Sequence, residues 1–380
     1  MIFTFTDEHQ QLAAGLRRFL QDKSPSAEVR RLMATEQGYD PKTWAQLAGQ
    51  LGLQGLVVPE KYGGSGAGPV ELALACEEMG RALLCAPYFA SAVLATYALL
   101  NCGDQAAAEE FLPGMAEGTT IATLAGPEDD GAWSTDGVAT RARRDGDGYL
   151  LDGRKSFVLD GHVADLILVV AQADAGPSLF AVRGDAEGLT RRPLTTLDMT
   201  RKQAALTLDG VPAALVGTEG GAADVVTRTL RLAVVALAAE QVGGAQRCLD
   251  MSVEYAKIRM QFGRPIGSFQ AIKHMCADML LEVESARSAA YYAAWAAQDE
   301  SDELPLVSSM AKAYCSEAYF RAAADNIQIH GGIGFTWEHD AHLYYRRAKS
   351  TELMLGTPGE HREIAAGYLI DAASPAGGDQ

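Results

Sequence analysis

The chain has 380 residues, 48% hydrophobic and 21% charged, with a formal net charge of −17. This is the composition of a soluble globular protein with room for two or three domains. The 49 acidic and 32 basic side chains argue against non-specific binding to nucleic acid or anionic membranes, because binding to phosphates needs clustered Lys and Arg.

The N-terminal sequence MIFTFTDEHQ is mixed and charged, which does not indicate a signal peptide. No uncharged stretch reaches membrane-spanning length, and the apolar run LAVVALAA stops at Glu240. The six cysteines are scattered without a C-x-x-C motif. We therefore expect a cytoplasmic protein with reduced thiols and no membrane partner.

Residues 1–120 are predicted to form an α-helical domain, because apolar residues recur at a spacing of three to four, with Thr6 as a candidate N-cap. The glycine-rich stretch EKYGGSGAGP matches neither phosphate-loop motif, and a turn that opens a helix is the simpler interpretation. Residues 121–221 contain short β-type runs separated by Gly, Asp and Pro. That spacing predicts an antiparallel β-sandwich or barrel.

Residues 222–380 are predicted to form a bundle of four long helices. The first would be one very long helix that crosses a weak point at Gly243–Gly244, and the last would begin near Glu338. The fold class is therefore α+β, in the order α-domain, β-domain, helical bundle.

Three segments of the chain resemble the acyl-CoA dehydrogenase family. Two belong to the bundle, EYAKIRMQFGRPIGSFQAIKHMCADM and IQIHGGIGFTWEHDAHLYYRRAK, and the third, VPEKYGGSGAGPVELALACEEMGRA, lies near the N-terminus. The resemblance extends over nearly the whole chain. It implies that FAD accepts a hydride from the β-carbon of an acyl-CoA thioester while a base removes the α-proton. It also implies an electron-transferring flavoprotein as the electron acceptor, and at least a dimer, with FAD at the subunit interface.

The family's motifs also imply the cofactor contacts. Three residues match family positions that reach a neighbouring subunit's FAD: Arg259, Gln261 and Phe262. A second FAD contact in the family is matched by Gln328, Gly331 and Gly332. Thr357 matches the threonine that follows the family's catalytic base. A guanidinium suits a diphosphate, and glycines allow close backbone approach. The alternatives are a solvated cation at a helix end and a plain helix C-cap. The sequence EHDAH, with Glu338, His339 and His342, is a weak metal motif, and polar helix-surface residues are the simpler interpretation.

Four departures from the family pattern stand out. The stretch TLAGPEDDGAW replaces a common strand motif, and Phe157, Val158 and Leu159 replace the Trp-Ile-Thr that packs beside the flavin. The family's Asp after Arg346 is Arg347. Leu355 occupies the position of the usual catalytic glutamate.

A second family position for the base falls at Ala233. Two nearby carboxylates could substitute for the missing catalytic base. Glu240 lies seven residues further on the same helical face, where burial would raise its pKa, and it is the candidate base. The alternative for Glu240 is a buried carboxylate paired with an arginine of the bundle. Glu352 lies one turn before Leu355 but should point to an adjacent sector.

Three interpretations follow. The chain is an active acyl-CoA dehydrogenase that uses Glu240 or another base. Alternatively, it is a catalytically silent partner subunit of a heteromeric acyl-CoA dehydrogenase that completes the FAD site of a sister chain. Across these two interpretations the resemblance implies a homo- or hetero-oligomer, a dimer of dimers in the family. The run from HGG through YYRRAK to MLGTP resembles bacterial subunits of heterotetrameric dehydrogenases for sterol side-chain thioesters. A non-flavin interaction protein on the same fold is the third, which Arg259 and Gln328 argue against.

Overall fold

The computed structural model describes residues 5–373, which form two compact units. The first unit contains the chain up to Ser26, Pro69–Leu84 and the chain from Val234 onward. The second contains Ala27–Gly68 and Cys85–Ala233.

Helices dominate both ends of the chain, and strands dominate its middle. In chain order the α-helices are α1 (Asp7–Lys23), α2 (Ser26–Met33), α3 (Pro41–Leu51), α4 (Pro69–Arg81), α5 (Thr96–Asn101), α6 (Gln105–Ala116), α7 (Ala222–Ile258), α8 (Gln270–Gln298), α9 (Leu304–His330), α10 (Ala341–Leu353) and α11 (Pro358–Ala373). A π-helical segment, Phe89–Ala95, precedes α5. The strands are β1 (Ala122–Ala125), β2 (Arg141–Asp145), β3 (Gly148–Leu159), β4 (Leu166–Ala173), β5 (Gly176–Arg183), β6 (Leu189–Pro193), β7 (Gln203–Val216), β8 (Met260–Gln261) and β9 (Arg264–Pro265).

The predicted Thr6 cap is confirmed, because its side chain accepts a hydrogen bond from the His9 backbone N–H at 3.3 Å. The glycine-rich stretch forms turns that end where α4 begins at Pro69, as expected. Both features show local chemistry setting helix starts.

The second unit contains a closed β-barrel. Strands pair in the ring β4–β5–β7–β3–β2 and back to β4, while β1 adds to β4 and β6 adds to β7. The barrel alternative is therefore confirmed over the sandwich. The expectation of purely antiparallel pairing is wrong at β4, which pairs in parallel with β1 and β2. The long connection from β1 through the β2–β3 hairpin allows this direction.

The first unit contains the C-terminal bundle. The very long predicted helix is confirmed as α7, whose 37 residues cross Gly243–Gly244 without interruption. The last predicted helix is divided: α10 ends at Leu353 and α11 begins at Pro358. Leu355 lies in the turn between them. The bundle's fourth position is thus filled by two shorter helices.

Two glycines allow the backbones of α4 and α7 to touch. A Cβ added to Gly80 would overlap the Glu240 carbonyl, and a Cβ added to Gly243 would overlap the Glu77 carbonyl. A Cβ on Gly244 would overlap the ring of Tyr319 in α9. The glycine pair that looked like a weak point is therefore required by the packing of three helices.

We predict that Gly243→Ala lowers the free energy of unfolding by at least ~2 kcal/mol, because the added methyl group forces α4 and α7 apart. Gly367→Ala in α11 is the matched control, since nothing lies within 4 Å of its added Cβ. That change should be neutral or slightly stabilising. Urea unfolding of both variants measures the difference, and equal stabilities would contradict the close crossing.

Candidate active site

The turn between α10 and α11 holds the residue at the usual base position. Leu355 is buried, and its backbone adopts a φ of 61°, which is uncommon for a residue with a Cβ. The Nε2–H of His361 donates to the Leu355 carbonyl at 2.9 Å. Burial lowers the pKa of His361, which favours its neutral form. The turn is thus well ordered around a side chain that cannot accept a proton.

Thr357 closes the turn by capping α11. Its backbone N–H and its Oγ1 donate to Oε2 of Glu360 at 2.7 and 2.8 Å, and the Glu360 N–H donates back to Thr357 Oγ1 at 3.3 Å. These hydrogen bonds lower the pKa of Glu360. Thr357 already has a structural role, so its contact with a cofactor stays a prediction.

A network of buried, hydrogen-bonded polar side chains lies beneath the turn between α10 and α11. The Lys312 ammonium donates to Ser316 Oγ at 2.9 Å and to the carbonyls of Thr351 and Glu352 at 3.0 Å each. Ser316 in turn hydrogen-bonds to Gln241 of α7 at 3.0 Å. The last turn of α10 is thereby tied to α9 and α7.

Glu240 lies in a buried ion pair. Its Oε1 is 3.0 Å from Nη1 of Arg347, and the two side chains are only 6% and 2% exposed. This is the paired-carboxylate alternative weighed for Glu240. Since this carboxylate is engaged by a buried guanidinium, the geometry favours the ion pair over the base.

The other carboxylate and the second base position offer no better candidate. Glu352 Oε2 pairs with Lys349 on the same helix at 3.0 Å. Ala233 is fully buried in the second unit and has no titratable group.

The first cofactor motif lies at an exposed hairpin. Arg259 follows the end of α7, and Gln261 and Phe262 belong to the β8–β9 hairpin. All three are exposed, and Phe262 is 90% exposed. An exposed guanidinium beside an exposed apolar ring suits a nucleotide bound from outside the chain.

The second motif lies at the end of α9. Gln328, Gly331 and Gly332 are exposed, and no atom lies within 4 Å of a Cβ added to either glycine. The two motifs meet because Tyr255 of α7 stacks on His330 of α9, with ring centroids 4.3 Å apart. The two exposed sets of residues are therefore open to a group that approaches from solvent or from a neighbouring subunit.

The EHDAH histidines contact aromatic rings instead of converging. His339 lies against His330, with centroids 4.3 Å apart, and His342 meets Trp337 edge to face at 4.8 Å. His342 is buried, so the expectation of a surface residue is wrong there. Across residues 5–373, no group of three or more His, Cys, Asp or Glu side chains could hold a metal.

The second unit replaces two family motifs with its own structure. Phe157 sits at a bulge in β3 with a φ of 57° and is 43% exposed, whereas Val158 and Leu159 are buried. Although burial opposes ionisation, hydrogen bonds from Thr140, the Ala139 N–H and Lys155 hold the pKa of Glu128 at about 2. Glu128 thus fixes the loop that replaces the usual strand motif.

Sequence reasoning missed Lys312 and His361. Both are polar residues on otherwise small or apolar helical faces, and such a position can signal a buried partner. Their partners are mainly backbone carbonyls, which the sequence cannot specify.

Comparisons with known proteins cover nearly all of the chain. Models of the acyl-CoA dehydrogenase N-terminal, middle and C-terminal domains match residues 6–119, 123–211 and 220–369. The chain is 35% identical over 358 residues to the acyl-CoA dehydrogenase IpdE2 of Mycolicibacterium smegmatis, covering 93% of this chain and 96% of that protein.

Two solved structures of heteromeric assemblies are also similar. A variant of the Tcur3481–Tcur3483 steroid ACAD matches with a TM-score of 0.87 and 31% identity, over 97% of this chain and 99% of that chain. The ChsE4–ChsE5 complex of Mycobacterium tuberculosis matches with a TM-score of 0.88 and 30% identity, over 99% and 100%.

We predict that Glu240→Gln destabilises the chain by about 3 kcal/mol, because it leaves the Arg347 charge buried without its counter-ion. The double variant Glu240→Leu/Arg347→Met should recover most of that loss, since it removes both charges. Denaturant unfolding of the single and double variants measures the coupling. Additive losses would show that the pair is not the reason for the burial of Glu240.

Proposed function

Because the chain belongs to the acyl-CoA dehydrogenase family, we propose that it is the partner subunit of a heteromeric, FAD-dependent acyl-CoA dehydrogenase. In this proposal it helps to build the FAD site of a sister chain. Its own base position does not remove the substrate's α-proton, and the assembly as a whole dehydrogenates the acyl-CoA thioester.

One observation carries the proposal: the ordered turn that should present a base presents Leu355. Loss of a positioned base costs about 10²–10⁴-fold in rate. The neighbouring candidate, Glu240, is engaged by Arg347. The chain keeps the turn but has no proton-accepting side chain at the base position. This is expected of a subunit that contributes structure to a shared site and no base.

FAD would be held by the exposed residues at the ends of α7 and α9. Arg259 would pair with the diphosphate, while Gln261 and Phe262 would contact the adenosine part, and Gln328 with Gly331 and Gly332 would give the second contact. When bound, FAD supplies the hydride acceptor. Thr357 would face the cofactor from the turn that it caps.

An exposed apolar surface surrounds these residues and supports an obligate neighbour. Four large apolar side chains are 56–90% exposed, which is far more than such side chains usually are in a monomer: Ile258, Phe262, Phe335 and Trp337. A sister chain would cover this surface, with a dimer of such heterodimers as the full assembly.

The substrate and the electron acceptor follow from relatives. Since a similar assembly is a steroid ACAD, we propose a bulky sterol-derived acyl-CoA as the substrate class. We propose an electron-transferring flavoprotein as the acceptor and the cytoplasm as the location. None of the described helices is long and apolar enough to span a bilayer.

The test of the function is co-expression with whatever acyl-CoA dehydrogenase-like chain is encoded beside this one. The full chain expressed alone should be colourless, and the co-purified pair should show flavin absorbance. If the chain alone is yellow and dehydrogenates acyl-CoA thioesters, it is an active homomeric enzyme with a relocated base, and the proposal is wrong.

A second prediction concerns the cofactor contact. In the co-purified pair, Arg259→Gln should weaken FAD retention by about 10- to 100-fold, because it removes a charge-assisted contact to phosphate. Flavin absorbance during dialysis measures the loss. Arg183→Gln is the control, since that exposed arginine lies in β5 and pairs with Asp185. Equal retention in both variants would exclude Arg259 from the site.

A further inference from the structure

Two lysines are fully buried among the residues that the structure describes, and their surroundings differ in charge. Lys155 Nζ lies 3.0 Å from the Gly126 carbonyl and 3.0 Å from a carboxylate oxygen of Glu128. Lys312 Nζ has three hydrogen-bond partners in the described part of the chain, and all are neutral: Ser316 Oγ and the carbonyls of Thr351 and Glu352. A buried ammonium without a counter-ion is costly, which makes Lys312 unusual.

The acidic groups nearest Lys312 are engaged elsewhere. Glu352 pairs through its carboxylate with Lys349, and Glu360 accepts the capping hydrogen bonds of Thr357. These carboxylates act on Lys312 only at longer range.

The other groups around Lys312 carry no charge. Gln241 of α7 is an amide, burial raises the pKa of the Cys315 thiol to about 12, and burial of His361 of α11 favours the neutral imidazole. Burial therefore dominates and lowers the pKa of Lys312 to about 7.

The hydrogen bonds of Lys312 tie it to the turn that contains Leu355. Thr351 and Glu352 belong to the last turn of α10, four and three residues before Leu355, and their carbonyls have no partner further along that helix. Release of the last turn of α10, together with the turn that contains Leu355, would expose Lys312 Nζ to water. A hydrated lysine binds its proton far more tightly than a buried one, so any state with the turn released takes up a proton.

We propose that Lys312 is a proton-linked positioning residue: proton uptake at its buried Nζ and release of the Met354–Thr357 turn from the bundle are coupled. Acidification favours the released turn, and deprotonation favours the closed one. The inference concerns this chain by itself and does not depend on the proposed function.

The test is amide hydrogen exchange on the full chain between pH 7 and 9, corrected for intrinsic rates. The reporters are the amides on either side of the junction: Met354 N–H bonds to the Ser350 carbonyl at the end of α10, and His361 N–H bonds to the Thr357 carbonyl at the start of α11. In the wild type, their opening constants should fall with rising pH by up to about tenfold per unit. In Lys312→Met they should not change with pH.

Lys155→Met is the matched control, because it removes the other fully buried lysine, which has a carboxylate partner. It should keep the wild-type pH dependence at the α10–α11 junction. His361 titrates below this pH window, and the cysteines are the same in all variants, so neither accounts for a difference. The same pH dependence in the wild type and Lys312→Met would overturn the proposal.

A direct measurement covers the case in which Lys312→Met does not fold. Selective ¹³C labelling of lysine side chains in the wild-type chain should show one resonance that titrates near pH 7, well separated from the ordinary lysines. If every lysine titrates above pH 9, Lys312 is not proton-linked in this range and the proposal fails.

Discussion

The backbone contact between α4 and α7 is the constraint on which the candidate site depends. Gly80 and Gly243 let the two helices approach until a backbone carbonyl of each lies against a glycine of the other, and Gly244 admits the Tyr319 ring on another side. The segment from Glu240 to Gly244 is thereby fixed against α4 and α9. Since Glu240 binds Arg347 and Gln241 binds Ser316, the same segment positions α10 and the turn after it.

In the proposed function, this arrangement separates the architecture of an acyl-CoA dehydrogenase from its proton chemistry. The bundle, the barrel and the exposed residues at the ends of α7 and α9 are all present. The turn at the base position is capped, hydrogen-bonded and supported from beneath by Lys312. Its side chain is nevertheless Leu355. A turn so thoroughly supported around an inert side chain is easier to understand if its role is to shape a shared site.

The sequence predicted the order of the elements and the long helices well, because their apolar periodicity is local. It also identified α7 as continuous and Thr6 as a cap. It could not predict β1, β2 and β6, since those strands are short and two of them are rich in exposed arginine. The parallel pairing of β4 depends on contacts far apart in the chain.

The candidate site was predictable only where a motif marks it. The family resemblance of their motifs implied Arg259 and Gln328, and the stacked rings of Tyr255 and His330 show that the helix ends carrying the two motifs adjoin. The partner of Glu240 was foreseen as an arginine of the bundle, but its identity as Arg347 needed the structure. The role of Lys312 could not be predicted from the sequence, because its partners are mainly backbone carbonyls, which any residue provides.

The most direct test of the account is anaerobic mixing of a sterol-derived acyl-CoA with this chain, first alone after reconstitution with FAD and then in complex with its sister chain. The measured quantity is the loss of oxidised-flavin absorbance. The account predicts rapid bleaching in the complex and none above background in the isolated chain, since Leu355 cannot take the α-proton. Rapid bleaching in the isolated chain would contradict it and would place a working base within these 380 residues.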